Sequence, residues 1–345
     1  MKRSIEALVA LAAAVVASSA SAETISLKVM EQPTSTGLIQ KNYEAKFFEK
    51  MAEKTGVDVS VTYTPVDVTG VKETEELRLL KSGLFDIISL RMSQVSRDEP
   101  TILGFDLVGQ NPDYATAKKT IDAFFPTVDK QLQSKFNTKL LGVWPFGPQV
   151  LFCKPEIQDL AGLKGKKVRV YDQSLANFVS SVGGSPVPVS FSEVQQSLAR
   201  GVIDCAITGP SSANTAGWPE ETNNMLPIAF QIAVQGYGIN LNTWNKFSQE
   251  DQTKLQDAFN GLTSEIWTYS EQIFQDAVRC NVGNTPCETV KPYALKLIPV
   301  SDTDKATMQN ALKEISFPEW KAICDKVNST CSKDWQETVG KALGF

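Results

Sequence analysis

The chain has 345 residues, 34 basic and 39 acidic side chains, a net charge of −5 and no histidine. The acidic balance does not suit nucleic acid, which selects basic faces. The missing histidine excludes Ser-His-Asp and Cys-His nucleophile systems and His-ligated zinc or iron centres, so binding without chemistry is the default expectation.

The chain opens Met1-Lys2-Arg3, runs through an apolar stretch from Ala7 to Val16, and reaches Ala20-Ser21-Ala22 just before Glu23. This is the pattern of a cleavable signal peptide over residues 1–22, with cleavage after Ala22 and export to the periplasm. The apolar run is shorter than the ~20 residues needed to span a bilayer.

From Thr24 onward strand and helix patterns alternate. Residues 25–30 read as a strand, 37–54 as an amphipathic helix, 57–64 as a second strand, 73–82 as a helix and 85–90 as a third strand. Glu73, Glu75 and Glu76 are expected on a solvated helix face. A helix over 114–135 and a strand over 139–144 complete a first α/β unit with a mostly parallel sheet. Strands over 150–153, 166–171 and 203–208, with a helix over 174–182, build a second unit. Within it, Ser190-Phe191-Ser192-Glu193 has the form of a capping box, and Gly183-Gly184 stands where a helix would be capped. Two strand-like runs between Met225 and Asn242 return the chain to the first unit. A helix opening at Ser248 carries apolar residues at spacings of three and four, from Leu255 to Ile273. Its length suffices to brace both units. The expected division is 23–145 plus about 237–275 for the first domain, and 146–236 plus part of 276–345 for the second domain and C-terminal helices.

All six cysteines, Cys153, Cys205, Cys280, Cys287, Cys324 and Cys331, follow the signal peptide. An even count in an exported chain favours disulfides, and the absence of C-x2-C spacing argues against zinc. Many connectivities are possible. The natural local pairs are Cys280 with Cys287 and Cys324 with Cys331, which leaves Cys153 with Cys205 as a long-range staple.

One segment is more specific. Asp159-Leu160-Ala161-Gly162-Leu163-Lys164-Gly165-Lys166-Lys167-Val168-Arg169-Val170 is followed by Gly183-Gly184-Ser185-Pro186-Val187-Pro188-Val189, by Phe191-Ser192-Glu193-Val194, and by Gly201-Val202-Ile203-Asp204. In order and spacing this run resembles the solute receptors of TRAP (tripartite ATP-independent periplasmic) transporters, the DctP-like family. Weaker echoes extend over most of the chain, at Phe47-Phe48, Gly83 to Asp86 and Asn242 to Lys246.

The resemblance implies a two-domain periplasmic-binding-protein fold of the α/β class, with hinge-crossing strands and a long helix bracing both domains. It also implies a small organic acid as ligand and membrane permease subunits as partners; a monomer without cofactor is expected, with a ligand-bridging metal ion left open. In that family an arginine on the strand after the "DLkGlK" run holds the ligand's carboxylate, and Arg169 matches it. The residue pattern agrees. Val168 and Val170 alternate with Arg169, which leaves the arginine on the other face near the strand's carboxyl end, where open α/β sheets bind ligands. A guanidinium accepts a carboxylate in two parallel hydrogen bonds. A structural ion pair is the competing reading.

Where the family has a Glu-Asn-Pro turn, this chain offers Thr208 and Ser211. Thr208 reads equally as a ligand donor or a helix cap. A second family arginine has Gln149 in its place, which argues for a monocarboxylate with hydroxyl or keto groups and leaves Arg169 as the expected sole buried cation of the cleft. Phe191 belongs to the matched run. Trp144, Phe146, Trp218 and Tyr237 are aromatic candidates for the cleft wall, with core packing as the alternative. In the first domain Gln32, Thr34, Ser35 and Gln40 follow the first strand, and Arg91 follows the third, where an exposed loop arginine is the competing reading. An ABC-type binding protein and an exported His-free lyase or hydrolase are the other functional readings.

Overall fold

The computed structural model describes residues 24–32 and 37–345, so the signal peptide, Thr34 and Ser35 lie outside the described residues. In chain order the strands are β1 (Ile25–Glu31), β2 (Val59–Pro65), β3 (Ile87–Arg91), β4 (Thr138–Pro145), β5 (Val150–Cys153), β6 (Lys167–Val170), β7 (Ser185–Pro188), β8 (Cys205–Thr208), β9 (Asn224–Leu226), β10 (Val234–Asn240) and β11 (Lys296–Leu297). They form two sheets, β2-β1-β3-β10-β4 and β11-β9-β5-β8-β6-β7. The early strands β1, β2 and β3 pair in parallel, whereas β10 runs antiparallel to both β3 and β4.

Strand periodicity explains the layering. In β1, Leu27 and Val29 face one core with Ile87, Tyr237 and Trp144, and Met30 faces the other with Ile88 and Leu90. The first core is covered by the segments that follow β1 and by the helix Gln249–Asn281. Helix Tyr114–Phe136 covers the second, together with the C-terminal helices Phe317–Val327 and Cys331–Trp335. The indoles of Trp320 and Trp335 donate to the carbonyls of Pro100 (2.8 Å) and Gly104 (2.9 Å), fixing the chain's end on the first-sheet side.

Three expectations are corrected. Ser190 makes no side-chain cap bond. A 3-10 turn, Phe191–Glu193, precedes the helix Val194–Ala199, and the Ser190 carbonyl, not its hydroxyl, accepts the Glu193 N–H. Glu76 is not on a solvated face. It is fully buried, and its carboxyl accepts the backbone N–H of Arg91 at 3.3 Å. The predicted helix over 37–54 is also interrupted, at Lys50, whose backbone (φ −117°, ψ 24°) separates two short helices.

The sheets are joined by two antiparallel crossing segments, 145–150 and 226–234. These bond to each other through Phe146 N to Ala233 O (2.7 Å), Gly147 N to Ile232 O (2.9 Å) and Gln149 N to Gln231 O (2.7 Å). The Asp106 carboxyl accepts the N–H groups of Ile232 (3.0 Å) and Ala233 (2.7 Å), the latter at a positive φ of 50° that an alanine rarely adopts. The 33-residue helix Gln249–Asn281 is a third link. Its middle packs on β4, where the Trp267 indole donates to the Val143 carbonyl at 3.1 Å. Its end reaches the second sheet's layer, where Asn281 donates to the Pro210 carbonyl at 3.0 Å. Three disulfides close the chain: Cys153–Cys205 between neighbouring strands β5 and β8, Cys280–Cys287 at the end of the long helix, and Cys324–Cys331 between C-terminal helices.

Candidate ligand-binding cleft

The carboxyl ends of β3, β6 and β8 and the crossing segments meet at one small cavity of about 40 Å³. From the first domain it is lined by Arg91, from the hinge by Phe146, Gln149 and Gln235, and from the second domain by Arg169, Tyr171, Phe191, Thr208 and Ser212. A larger groove of about 810 Å³ adjoins it, sharing Ser93, Gln94 and Tyr171, and leads outward between the domains.

Arg169 is 2% exposed. Its Nε donates to the Val189 carbonyl and its Nη1 to the Ile207 carbonyl, both at 3.0 Å, and the guanidinium lies 5.6 Å from the Trp218 ring and 5.5 Å from that of Tyr171. Arg169 thus stands between aromatic faces on a backbone cradle, with its neighbours Val168 and Val170 in the core beneath. Among the described residues it forms no ion pair. Burial pulls its pKa down to about 10, which leaves it charged at neutral pH. A buried cation without an ion-pair partner is costly and poised for an anion.

Arg91 revises the electrostatics. It is not an exposed loop residue but the last residue of β3, 9% exposed, and it lines the same cavity as Arg169. Arg169 is therefore not the sole buried cation of the cleft. The Arg91 Nε donates to the Gln32 side chain, which donates in turn to the Ser89 carbonyl, while Nη2 has no hydrogen-bond partner among the described residues. Phe146 lies 5.7 Å from the guanidinium. Burial lowers its pKa also.

The other candidates divide cleanly. Gln149, Thr208 and Phe191 line the cavity. Thr208 is no helix cap, since Gly209 holds the N-cap position of Pro210–Thr215 without a side-chain bond. Trp218 is fully buried beneath Arg169 rather than in the wall, and Gln32 buttresses Arg91. Trp144 and Tyr237 are fully buried in the first-domain core, outside the cavity lining. Ser212 and Gln235 were missed by sequence reasoning. Ser212 is one helical residue beyond the named Ser211, and Gln235 sits in a strand whose register only the fold supplies. At the hinge end, the Tyr171 hydroxyl donates to Gln231, which donates to Asp172 (3.2 Å) and to the Asp106 carbonyl (2.6 Å), and burial raises Asp106 to about 7 and Asp172 to about 6. Among the described residues no cluster of three acidic or cysteine side chains is placed to hold a metal.

Residues 32–319 match the model of the bacterial extracellular solute-binding proteins, family 7, known as DctP. The sialic acid-binding periplasmic protein SiaP of Vibrio cholerae is 23% identical over 232 residues, 66% of this chain and 72% of that protein. The C4-dicarboxylate-binding periplasmic protein DctP of Rhodobacter capsulatus is 25% identical over 282 residues, 76% of this chain and 81% of that one. Among solved structures, the Bordetella pertussis extracytoplasmic solute receptor DctP7, binding pyroglutamic acid, superposes with a TM-score of 0.77 at 17% identity, covering 91% of this chain and 99% of its own. A two-domain α/β architecture, a guanidinium-lined interdomain cavity and a family match over most of the length together place this chain among the TRAP-type extracellular solute-binding proteins of family 7, which are receptors working with membrane permease subunits and not enzymes.

Proposed function

We propose that this protein captures a small organic carboxylate between its domains, with Arg169 as the carboxylate anchor, and hands it to the permease from the periplasm. One observation carries the reading: Arg169 is buried on a cradle of backbone carbonyls and aromatic rings, with no acidic partner, at the wall of an interdomain cavity. A structural ion pair would require a carboxylate beside it. Arg91 across the cavity adds a second positive charge, and Thr208 and Gln149 add neutral polar groups. Receptors that resemble this one carry pyroglutamic acid, orotic acid and β-D-glucuronate, each a carboxylic acid with further polar groups, and another carries sn-glycerol-3-phosphate, whose anion is a phosphate.

A cavity of about 40 Å³ holds little more than a water. An organic acid therefore requires the domains to part about the paired crossing segments and reclose.

The test is thermal stability of the full chain against a panel of organic acids. A ligand bound only by the folded state stabilises it by ~2.7 kcal/mol at 100 times its Kd. The expected result is a shift with one class of acid, recovered chemically unchanged, and loss of that shift in Arg169→Lys, because a point charge cannot reproduce the planar fork. An unchanged affinity in that variant would move the anchor elsewhere.

A further inference from the structure

The cavity beside Arg169 and the groove that adjoins it differ in size and in chemistry. At about 40 Å³ the cavity takes little more than a water, so the head group of an acid fills it and the rest of the molecule needs another place. The groove, at about 810 Å³, lies within the roughly 300–1,000 Å³ of small-molecule sites and shares Ser93, Gln94 and Tyr171 with the cavity. Tyr171 is the common wall. Its ring lies 5.5 Å from the Arg169 guanidinium, and its hydroxyl donates to Gln231 of the crossing segment at 3.0 Å, which fixes the ring from the hinge. An acid anchored at Arg169 can therefore run past Tyr171 into the groove.

The groove's walls come from both domains. Leu103, on the 3-10 helix Pro100–Phe105, and Ala322 and Ile323, on the helix Phe317–Val327, line the first-domain side. Ala176, on the helix Gln173–Ser181, and Pro186 and Pro188, on β7, line the other. Ile323 is 36% exposed, although large and aliphatic. The charged members of the lining do not compete for this surface: Arg97 and Glu319 are exposed, and Asp172 already accepts the N–H of Leu175 at 2.8 Å and the Gln231 amide at 3.2 Å. The Ser174 hydroxyl accepts the N–H of Val108 at 3.1 Å, and Gln173 donates to Asn177 at 2.6 Å. Aliphatic and prolyl side chains facing one another across a solvent-filled groove favour an apolar occupant, because its burial removes both surfaces from water.

We propose that the ligand is an elongated carboxylic acid with an alkyl or aryl body, its carboxylate held by Arg169 and its body held in the groove between the Leu103, Ala322 and Ile323 wall and the Ala176, Pro186 and Pro188 wall. This deepens the receptor reading and rests on it. The body contacts both domains, so its burial favours the closed arrangement alongside the charge at the head. Each methylene buried there adds affinity that a short or fully hydroxylated acid cannot gain.

The experiment is calorimetry of the full chain with straight-chain acids from propanoate to octanoate, with benzoate, phenylacetate and phenylpropanoate, and with glycerate and glucuronate as polar references. In the expected result affinity rises about two- to fourfold per methylene, so octanoate binds at least about thirtyfold more tightly than propanoate. The heat-capacity change of binding becomes more negative along the series, as burial of apolar surface requires. Two variants at exposed positions, each checked for an unchanged ligand-free melting temperature, test the groove itself. Ala322→Trp fills it and weakens octanoate at least about tenfold more than propanoate; Ile323→Ser removes part of its aliphatic wall and does so at least about threefold. A flat series, tighter binding of glycerate or glucuronate than of every alkyl and aryl acid, equal losses for octanoate and propanoate in both variants, or an octanoate affinity that survives Arg169→Lys would overturn the proposal. If glycerate or glucuronate binds and Arg169→Lys abolishes that binding while chain length adds nothing, the receptor reading stands and the groove subsite falls; a panel in which no acid binds would remove both.

Discussion

At the scale of single residues, burial without a partner is the common theme. Arg169 and Arg91 are buried cations that form no ion pair among the described residues, and Asp106 and Asp172 are acids held by neutral donors at the hinge. Burial moves Asp106 from 3.8 to about 7 and Asp172 from 3.8 to about 6. The sign follows directly: between the two values the folded state keeps a proton that the unfolded chain has lost, so stability falls as pH rises through that window. The ligand-free protein is therefore expected to lose up to about 1.4 kcal/mol per pH unit per group between pH ~4 and ~7. Urea unfolding at intervals across that range measures the slope, and Asp106→Asn should make it shallower between pH ~6 and ~7 by one group's share, the slope from Glu31, raised to about 10 by burial, remaining. A slope unchanged in that variant would assign the effect elsewhere.

At the scale of elements, the long helix Gln249–Asn281 depends on close approach to β4. A Cβ at Gly142 would stand 2.7 Å from the Thr263 methyl, so the strand and helix meet where no side chain fits between them. Gly142→Val is expected to lift the helix and cost about 1–3 kcal/mol by overpacking. Gly261, two residues before Thr263 and so on the exposed side of that helix, has nothing within 4 Å of a Cβ. Gly261→Ala should stabilise the protein by roughly 0.5–1 kcal/mol through helix propensity alone. Denaturant midpoints of the two variants should move in opposite directions. The helix itself was legible because its apolar spacing is local and its Ser248 cap does bond the Asp251 N–H. The Ser190 motif has the form of a capping box but makes no side-chain cap bond, since a 3-10 turn satisfies the Glu193 N–H with the Ser190 carbonyl.

At the scale of the whole molecule, two sheets share two crossing segments, one long helix and a C-terminal region that returns to the first-sheet core. Cys153 and Cys205 are directly opposed on β5 and β8, so their bridge closes a 52-residue separation within the second sheet alone. Replacing both by alanine should cost about 2–5 kcal/mol. Hydrogen exchange should localise the loss to residues 150–210, with the first sheet's protection retained; a uniform loss would mean that the two sheets unfold as one unit.

Much of this was decided by local sequence. Periodicity alternates strongly enough to place most strands, cysteine spacing marks the short bridges, and the run through Arg169 carries the family and the proposed anchor together. The cleft's charge was not legible in the same way. Whether Arg91 ends a strand or sits in solvent, and whether Glu76, Glu31 and Glu44 face water or one another, depends on which strands become neighbours and which face the covering helices take. Those are relations between residues tens of positions apart. Tertiary packing alone set them, by withdrawing charges from water and bringing two guanidinium groups to one cavity.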